Sequence, residues 1–142
     1  MPEPQQSDSG IEALFEAAKA AREHAYAPYS RFKVGAALLD DTGAIHAGCN
    51  VENAAFPVGT CAEAGAIAAM IAHGGRRLTA ILILGEGDTP VTPCGACRQR
   101  IQEFATPDAP ILVADRRGVT ARFTVEALLP HSFGPETLRV DA

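Results

Sequence analysis

Cys61-Ala62-Glu63 and, further along, Pro93-Cys94-Gly95-Ala96-Cys97 constrain this chain more than any other feature. Together they offer three soft sulfur ligands for one metal ion. A fold that uses all three must bring two distant segments to a single point. Three protein ligands leave one position of a tetrahedral zinc open to water, which is the arrangement of a catalytic site. Glu63 stands two residues from the first thiol, where a carboxylate can move the protons of that water.

The flanking residues suggest how the convergence is built. Thr60 is suited to cap a helix over 61–73, with Gly74-Gly75 as its stop. Thr92-Pro93 reads as the cap and first residue of a helix over 94–104. Cys61 and the Cys94/Cys97 pair then fall in the first turns of two helices. Helix N-termini carry partial positive charge and free N–H groups, which lower thiol pKa values and favour the thiolates that metals need. Cys94 and Cys97 are three apart, so they share one helix face. On this layout two helices meet end to end at one zinc.

The rest of the chain supplies a sheet. Ile11, Leu14, Phe15 and Ala18 have helical spacing, with Asp8 or Ser9 as cap and an end before Pro28. Residues 32–39 and 44–51 read as strands joined by the turn Asp40-Asp41-Thr42-Gly43. Residues 52–59 are irregular. The apolar run 78–84 reads as a strand buried on both faces. Residues 110–114 and 119–123 are two further strands, turned by Arg116-Arg117-Gly118, and Thr124 caps a last helix over 125–129. Strands alternating with helices imply an α/β layered domain around one mixed sheet. Residues 1–9 read as a flexible N-terminal tail and 10–142 as a single domain.

Each part of the opening constellation also has a plainer reading. A lone CxxC can be a redox pair. It can equally be half of a closed structural zinc site with Cys49 as fourth ligand. Thr60-x-x-Glu63 fits a capping box, in which the carboxylate only bonds the cap N–H. The combination of Cys-x-Glu with Pro-Cys-x-x-Cys, separated by a strand and opening two helices, favours the catalytic reading.

Composition excludes several partners. The net charge of −5 argues against a phosphate backbone, since nucleic-acid binders show a basic face. Aromatic residues make up 6% of the chain, few for stacking a single-stranded polynucleotide. No run approaches the roughly 18 apolar residues that would suggest a membrane span. Residues 1–10 are polar, without the basic start of a signal peptide. The expected compartment is the reducing cytoplasm, where thiols bind metal rather than pair with one another.

Other polar and aromatic residues are weaker signals. His73 suits a helix C-terminus, and His24, His46 and His131 read as surface or packing residues. Phe32 and Phe133 can be plain core aromatics. Asn50 and Glu52 are harder to explain by packing, and alternation puts them on the same side of a strand end.

Five stretches, taken in order, carry a resemblance. They are Ala27-Pro28-Tyr29-Ser30-Arg31-Phe32-Lys33-Val34-Gly35-Ala36-Ala37-Leu38; Gly48-Cys49-Asn50-Val51-Glu52-Asn53-Ala54; Cys61-Ala62-Glu63; Pro93-Cys94-Gly95-Ala96-Cys97-Arg98-Gln99; and Leu128-Leu129-Pro130-His131-Ser132-Phe133-Gly134-Pro135. Over residues 26–135 the chain resembles the short, tetrameric, zinc-dependent cytidine deaminases of pyrimidine salvage, whose signature allows Cys where many zinc deaminases have His. The resemblance implies a three-layer α/β/α sandwich around a mixed five-stranded sheet. It implies hydrolytic deamination of cytidine and deoxycytidine to uridine and deoxyuridine. One Zn²⁺ per subunit would be held by Cys61, Cys94 and Cys97. Its bound hydroxide would attack C4 of the base while Glu63 carries protons to N3 and to the leaving ammonia. By the same likeness Asn50 and Glu52 bind the ribose hydroxyls, and Phe32 lies against the pyrimidine. The Ala62 backbone meets the base edge and that of Ala54 the 5′ side of the sugar. Phe133 reaches a neighbouring subunit's site in a homotetramer. The partner is then a small nucleoside, with neither nucleic acid nor membrane involved.

Two departures stand out. Relatives with three Cys ligands commonly carry Arg after Cys-Ala-Glu, where it bonds the thiolates; here Ala64 follows, then Gly65. Three thiolates on Zn²⁺ leave a net negative charge, which makes bound water less acidic. The helix N-termini and Arg98 are the expected compensation. Phe56 also stands where some relatives have Tyr. Two alternatives to a nucleoside deaminase are deamination of a related cytosine compound such as blasticidin S and a non-catalytic zinc module closed by all four cysteines.

Overall fold

Leu78–Leu84 forms β3, and every residue in it except Thr79 is buried. A run of Leu and Ile with no polar face can only sit at the centre of a sheet covered on both sides. In the computed structural model, which describes residues 8–138, β3 is the middle of five strands in the order β2-β1-β3-β4-β5. The others are β1 (Gly35–Asp40), β2 (Ile45–Cys49), β4 (Pro110–Asp115) and β5 (Gly118–Thr124). β3 and β4 are parallel and are joined through helix α3 (Gly95–Phe104). The remaining pairs are antiparallel.

Side chains alternate across the strands and divide the core in two. Ala37, Leu82, Leu84 and Leu112 face α1 (Asp8–Glu23), which contributes Leu14 and Ala18. Ala36, Leu38, Ile81, Ile83 and Ile111 face the other way. There they meet Ala62, Ala66, Ile67 and Met70 of α2 (Ala62–Ala72), Ile101 of α3 and Val125 of α4 (Val125–Leu128). Each fully buried Leu or Ile contributes roughly 1.5–3 kcal/mol relative to exposure. The result is the expected three-layer sandwich around a mixed sheet.

Glycine fixes how closely α2 can approach. A Cβ on Gly48 would lie 2.4 Å from the Ala66 nitrogen and 2.6 Å from the Ala62 oxygen. Gly65 of α2 faces Gly48 across the same crossing, its own Cβ position 3.4 Å from the Gly48 Cα. The absence of side chains on both lets the start of α2 rest directly on the end of β2.

Several element ends differ from the sequence-based expectation. β1 begins at Gly35 rather than at residue 32, because Val34 is tied to Asn50: the Asn50 side chain accepts from the Val34 amide at 2.9 Å and the Asn50 amide donates to the Val34 carbonyl. Asp8 and Ser9 lie within α1 rather than ahead of it. The remainder of the expected tail, residues 1–7, is outside the described residues, as are residues 139–142. Thr124 caps α4 as expected, its hydroxyl accepting from the Ala127 amide at 3.1 Å. A 3₁₀ turn, Phe56–Val58, and a short α5, Pro135–Leu138, were not foreseen. Among the described residues no helix is long and apolar enough to cross a membrane.

Candidate active site

The site is assembled where β2 ends and α2 begins. Val51 and Thr60 exchange backbone hydrogen bonds at 3.0 and 2.9 Å, closing the irregular segment between them into a loop. That closure sets Asn50 and Glu52 beside Cys61. It also occupies Thr60, so the N-cap of α2 is Cys61. The capping box expected as a plainer role for Glu63 therefore does not form, and the Cys61 side chain makes no cap hydrogen bond. α3 shows the same shift: its N-cap is Cys94, not Thr92, and Pro93 precedes the cap.

The Sγ atoms of Cys61, Cys94 and Cys97 lie within 4.8 Å of one another, and those of Cys61 and Cys94 are 3.7 Å apart. A tetrahedral zinc with Zn–S bonds of about 2.3 Å holds its sulfurs about 3.8 Å apart. The three thiols thus fit the ion. Among the described residues they are the only group of three or more such ligands, and Cys49 does not belong to it. The four-cysteine closed site is not formed, and a Cys94/Cys97 redox pair leaves the approach of Cys61 unexplained.

The thiols resist being charged together without a cation. Burial, and then the hydrogen bond and charge of Cys94, push the Cys61 thiol up. Cys97 is raised further by burial and by the negative charges of Glu63, Cys61 and Cys94. Only Cys94 follows the expected lowering: burial opposes it, but the Cys97 amide and the neighbouring thiols favour its thiolate. Two of the three thiols are thus harder to ionise than an ordinary cysteine, and a cation among them would relieve the repulsion between their charged forms.

The arginine beside the thiols is not the expected one. Arg98 is committed elsewhere: it donates to the Pro93 carbonyl at 2.7 Å, the Leu128 carbonyl at 3.0 Å and the Thr92 hydroxyl at 3.3 Å. Arg100, one turn beyond Cys97, places Nη1 3.4 Å from the Cys97 sulfur. The guanidinium in turn is held above its ordinary pKa, first by that contact. Sequence reasoning missed Arg100, although its i+3 spacing from Cys97 on a helix was a usable signal.

Cys61, Cys94, Ala62 and Glu63 share a cleft of about 290 Å³ with Asn50, Glu52, Val34, Val91 and Thr92. Glu63 is 4% exposed, and its carboxyl is raised, mainly by burial. Such a group holds a proton more readily than a surface glutamate and suits acid–base work near neutral pH. Asn50 and Glu52 face the cleft but are also bonded to the 29–34 segment: Asn50 Nδ2 donates to the Phe32 carbonyl at 2.8 Å, and Glu52 Oε1 accepts from the Tyr29 and Ser30 amides at 2.9 and 3.0 Å. Phe32, Ala54 and Phe133 do not line this cleft. Phe133 is 56% exposed, with its carbonyl held by Gln99 Nε2 at 2.9 Å. A larger cleft, about 380 Å³, lies between α3, α4 and the C-terminal segment, away from the thiols.

Comparison with known proteins agrees with this geometry. A family model described as the cytidine and deoxycytidylate deaminase zinc-binding region matches residues 8–113. A cytidine deaminase from Sporosarcina psychrophila is 43% identical over 128 residues, which are 90% of this chain and 94% of that protein. The crystal structure of cytidine deaminase from Burkholderia pseudomallei aligns with a TM-score of 0.81 at 46% identity, covering 86% of this chain and 98% of the other. That of cytidine deaminase from Mycobacterium tuberculosis aligns at 0.77 and 36% identity, covering 91% and 99%.

Proposed function

Because the chain belongs to the cytidine deaminase family of zinc-binding hydrolytic deaminases, we propose that it converts cytidine and deoxycytidine to uridine and deoxyuridine, with one zinc per subunit. The observation that carries this reading is the convergence of three thiols, two of which, Cys61 and Cys94, line a cleft together with the buried Glu63, Asn50 and Glu52. Cys61, Cys94 and Cys97 would hold the metal. Zinc there supplies a Lewis acid that brings the pKa of a water toward about 7.

The chain's own residues do the rest. Glu63 takes a proton from the water that adds at C4 and delivers it to N3 of the pyrimidine. Glu63 then takes the remaining proton of the new C4 hydroxyl and passes it to the 4-amino group; C4 becomes a carbonyl as the C4–N bond breaks and ammonia leaves. The raised carboxyl of Glu63 supports both directions of transfer, because its proton affinity lies closer to neutrality than a surface glutamate's. Asn50 and Glu52 bind sugar hydroxyls, and the Ala62 backbone meets the base edge. Phe32 and Ala54 lie outside the cleft's own lining; Phe32, which shares the Gly85 surroundings with the cleft-lining Val91, would lie against a bound pyrimidine and Ala54 near the 5′ side. Phe133, exposed and held at its carbonyl by Gln99, completes a neighbour's pocket in a homotetramer. A free nucleoside carries no phosphate, so the net charge of −5 is no obstacle. The proposed setting is pyrimidine salvage in the cytoplasm.

The test is loss of ultraviolet absorbance as purified protein converts cytidine to uridine, with a chelator control and blasticidin S in parallel. Chelator-sensitive uridine formation supports the reading. Turnover of blasticidin S without uridine formation replaces it with the related-cytosine alternative.

A further inference from the structure

Ser30 lies outside the thiol cleft, yet it touches both halves of the proposed nucleoside site. Its Oγ hydrogen-bonds Glu52 Oε2. The same oxygen accepts from the Phe32 amide at 3.0 Å. Glu52 Oε1 meanwhile accepts from the amides of Tyr29 and Ser30. Three donors from two adjacent residues therefore fix one carboxylate. The Glu52 carboxyl lies below its ordinary value, first because of the Ser30 hydroxyl and then the Ser30 amide. It is ionised at neutral pH and can only accept. With three acceptor positions filled, the carboxylate has one direction left for a ligand donor, and the Ser30 hydroxyl helps decide where that direction points. The segment has little freedom to shift: Arg31 sits between the two contacts with φ of 57°, and its amide donates to the Ala27 carbonyl at 2.9 Å. Such a left-handed residue persists only where its surroundings hold it.

We propose that Ser30 is a positioning residue for nucleoside recognition, its single hydroxyl joining the sugar-facing carboxylate of Glu52 to the backbone that carries Phe32. The proposal rests on the nucleoside reading of the cleft. Ser30 is exposed, so in Ser30→Ala water takes over both bonds and the fold stays intact. What is lost is the fixed direction of the carboxylate, and ground-state binding suffers more than chemistry.

Steady-state kinetics of Ser30→Ala and Ser30→Thr test this, with 2′,3′-dideoxycytidine as competitive inhibitor. Its sugar lacks the ring hydroxyls that Glu52 would accept. For Ser30→Ala we expect KM for cytidine to rise about tenfold with kcat within about twofold, the factor expected for one weakened hydrogen bond to a charged group. The inhibition constant of the dideoxy compound should change less than about threefold, and the melting temperature less than about 2 °C. Ser30→Thr keeps the hydroxyl and should restore the wild-type KM. Equal penalties on the two sugars, or a Ser30→Ala enzyme that matches the wild type, overturn the proposal while leaving the deaminase reading intact. A wild-type protein that does not turn over cytidine overturns that reading, and this proposal with it.

Discussion

Arg100 and Cys97 are joined across one turn of α3, Nη1 to Sγ, at 3.4 Å. This contact puts a positive charge on the most buried of the three thiols. It does so from the helix that carries two of the ligands rather than from position 64, where this chain has Ala. Groups in contact with metal ligands commonly influence affinity by about 10–100-fold. Arg100→Met is therefore expected to weaken zinc binding by about tenfold, read by competition with a chromogenic chelator. Arg98→Met should leave zinc affinity unchanged and lower thermal stability instead, because it loses bonds to Pro93, Leu128 and Thr92. Unchanged zinc affinity in Arg100→Met would remove the compensating role.

Cys49 and Glu63 separate an open site from a closed one. Cys49 is outside the thiol cluster, so Cys49→Ser should retain a full zinc complement by elemental analysis. Glu63→Gln should likewise keep zinc. On the proposed mechanism it should lose about 10²–10⁴-fold in kcat, the usual contribution of a positioned acid–base group. Near-normal turnover by Glu63→Gln would remove Glu63 from the proton transfers.

Gly48 is a point on the α2 crossing at which a side chain cannot be accommodated. The obstructing atoms are backbone, Ala66 N and Ala62 O, so no rotamer change relieves the clash. Gly48→Ala should destabilise the fold by at least about 1–3 kcal/mol, the usual cost of overpacking. Denaturant unfolding measures this. Zinc affinity should fall as well, because the displaced end of α2 carries Cys61. A variant as stable as the wild type would mean that α2 is not seated by this crossing.

The sequence carried the framework further than the details of the site. The unbroken apolar run 78–84 marked the central strand because nothing else buries such a segment on both faces. The three thiols were legible because Cys-x-Glu and Cys-x-x-Cys have meaning by spacing alone. Their helix caps were misplaced by one or two residues. Thr60 is a good cap by chemistry, but its backbone is taken by Val51, a pairing that depends on how residues 52–59 close. Local preference yielded there to a tertiary hydrogen bond. Cys49 could not be excluded as a ligand without knowing where β2 leads its side chain. The Ser30–Glu52 contact, spanning 22 positions, had no local signal at all.

Metal uptake should be coupled to proton release, with a definite sign. Without a cation, burial holds Cys61 and Cys97 as thiols above their ordinary pKa, and Glu63 adds to the effect at Cys97. A metal binds the thiolates, so loading must expel those protons. At pH 7 we expect at least about two protons released per zinc, read by calorimetry in buffers of different ionisation enthalpy. Apparent affinity should then rise with pH through the neutral range and level off only above the thiol pKa values. Arg100→Met removes a cation that favours the Cys97 thiolate. It should steepen the dependence or move it upward in pH. An affinity that is flat between pH 6 and 8 would show that the thiols are already ionised before zinc arrives, and would locate the compensating charge in the helix N-termini after all.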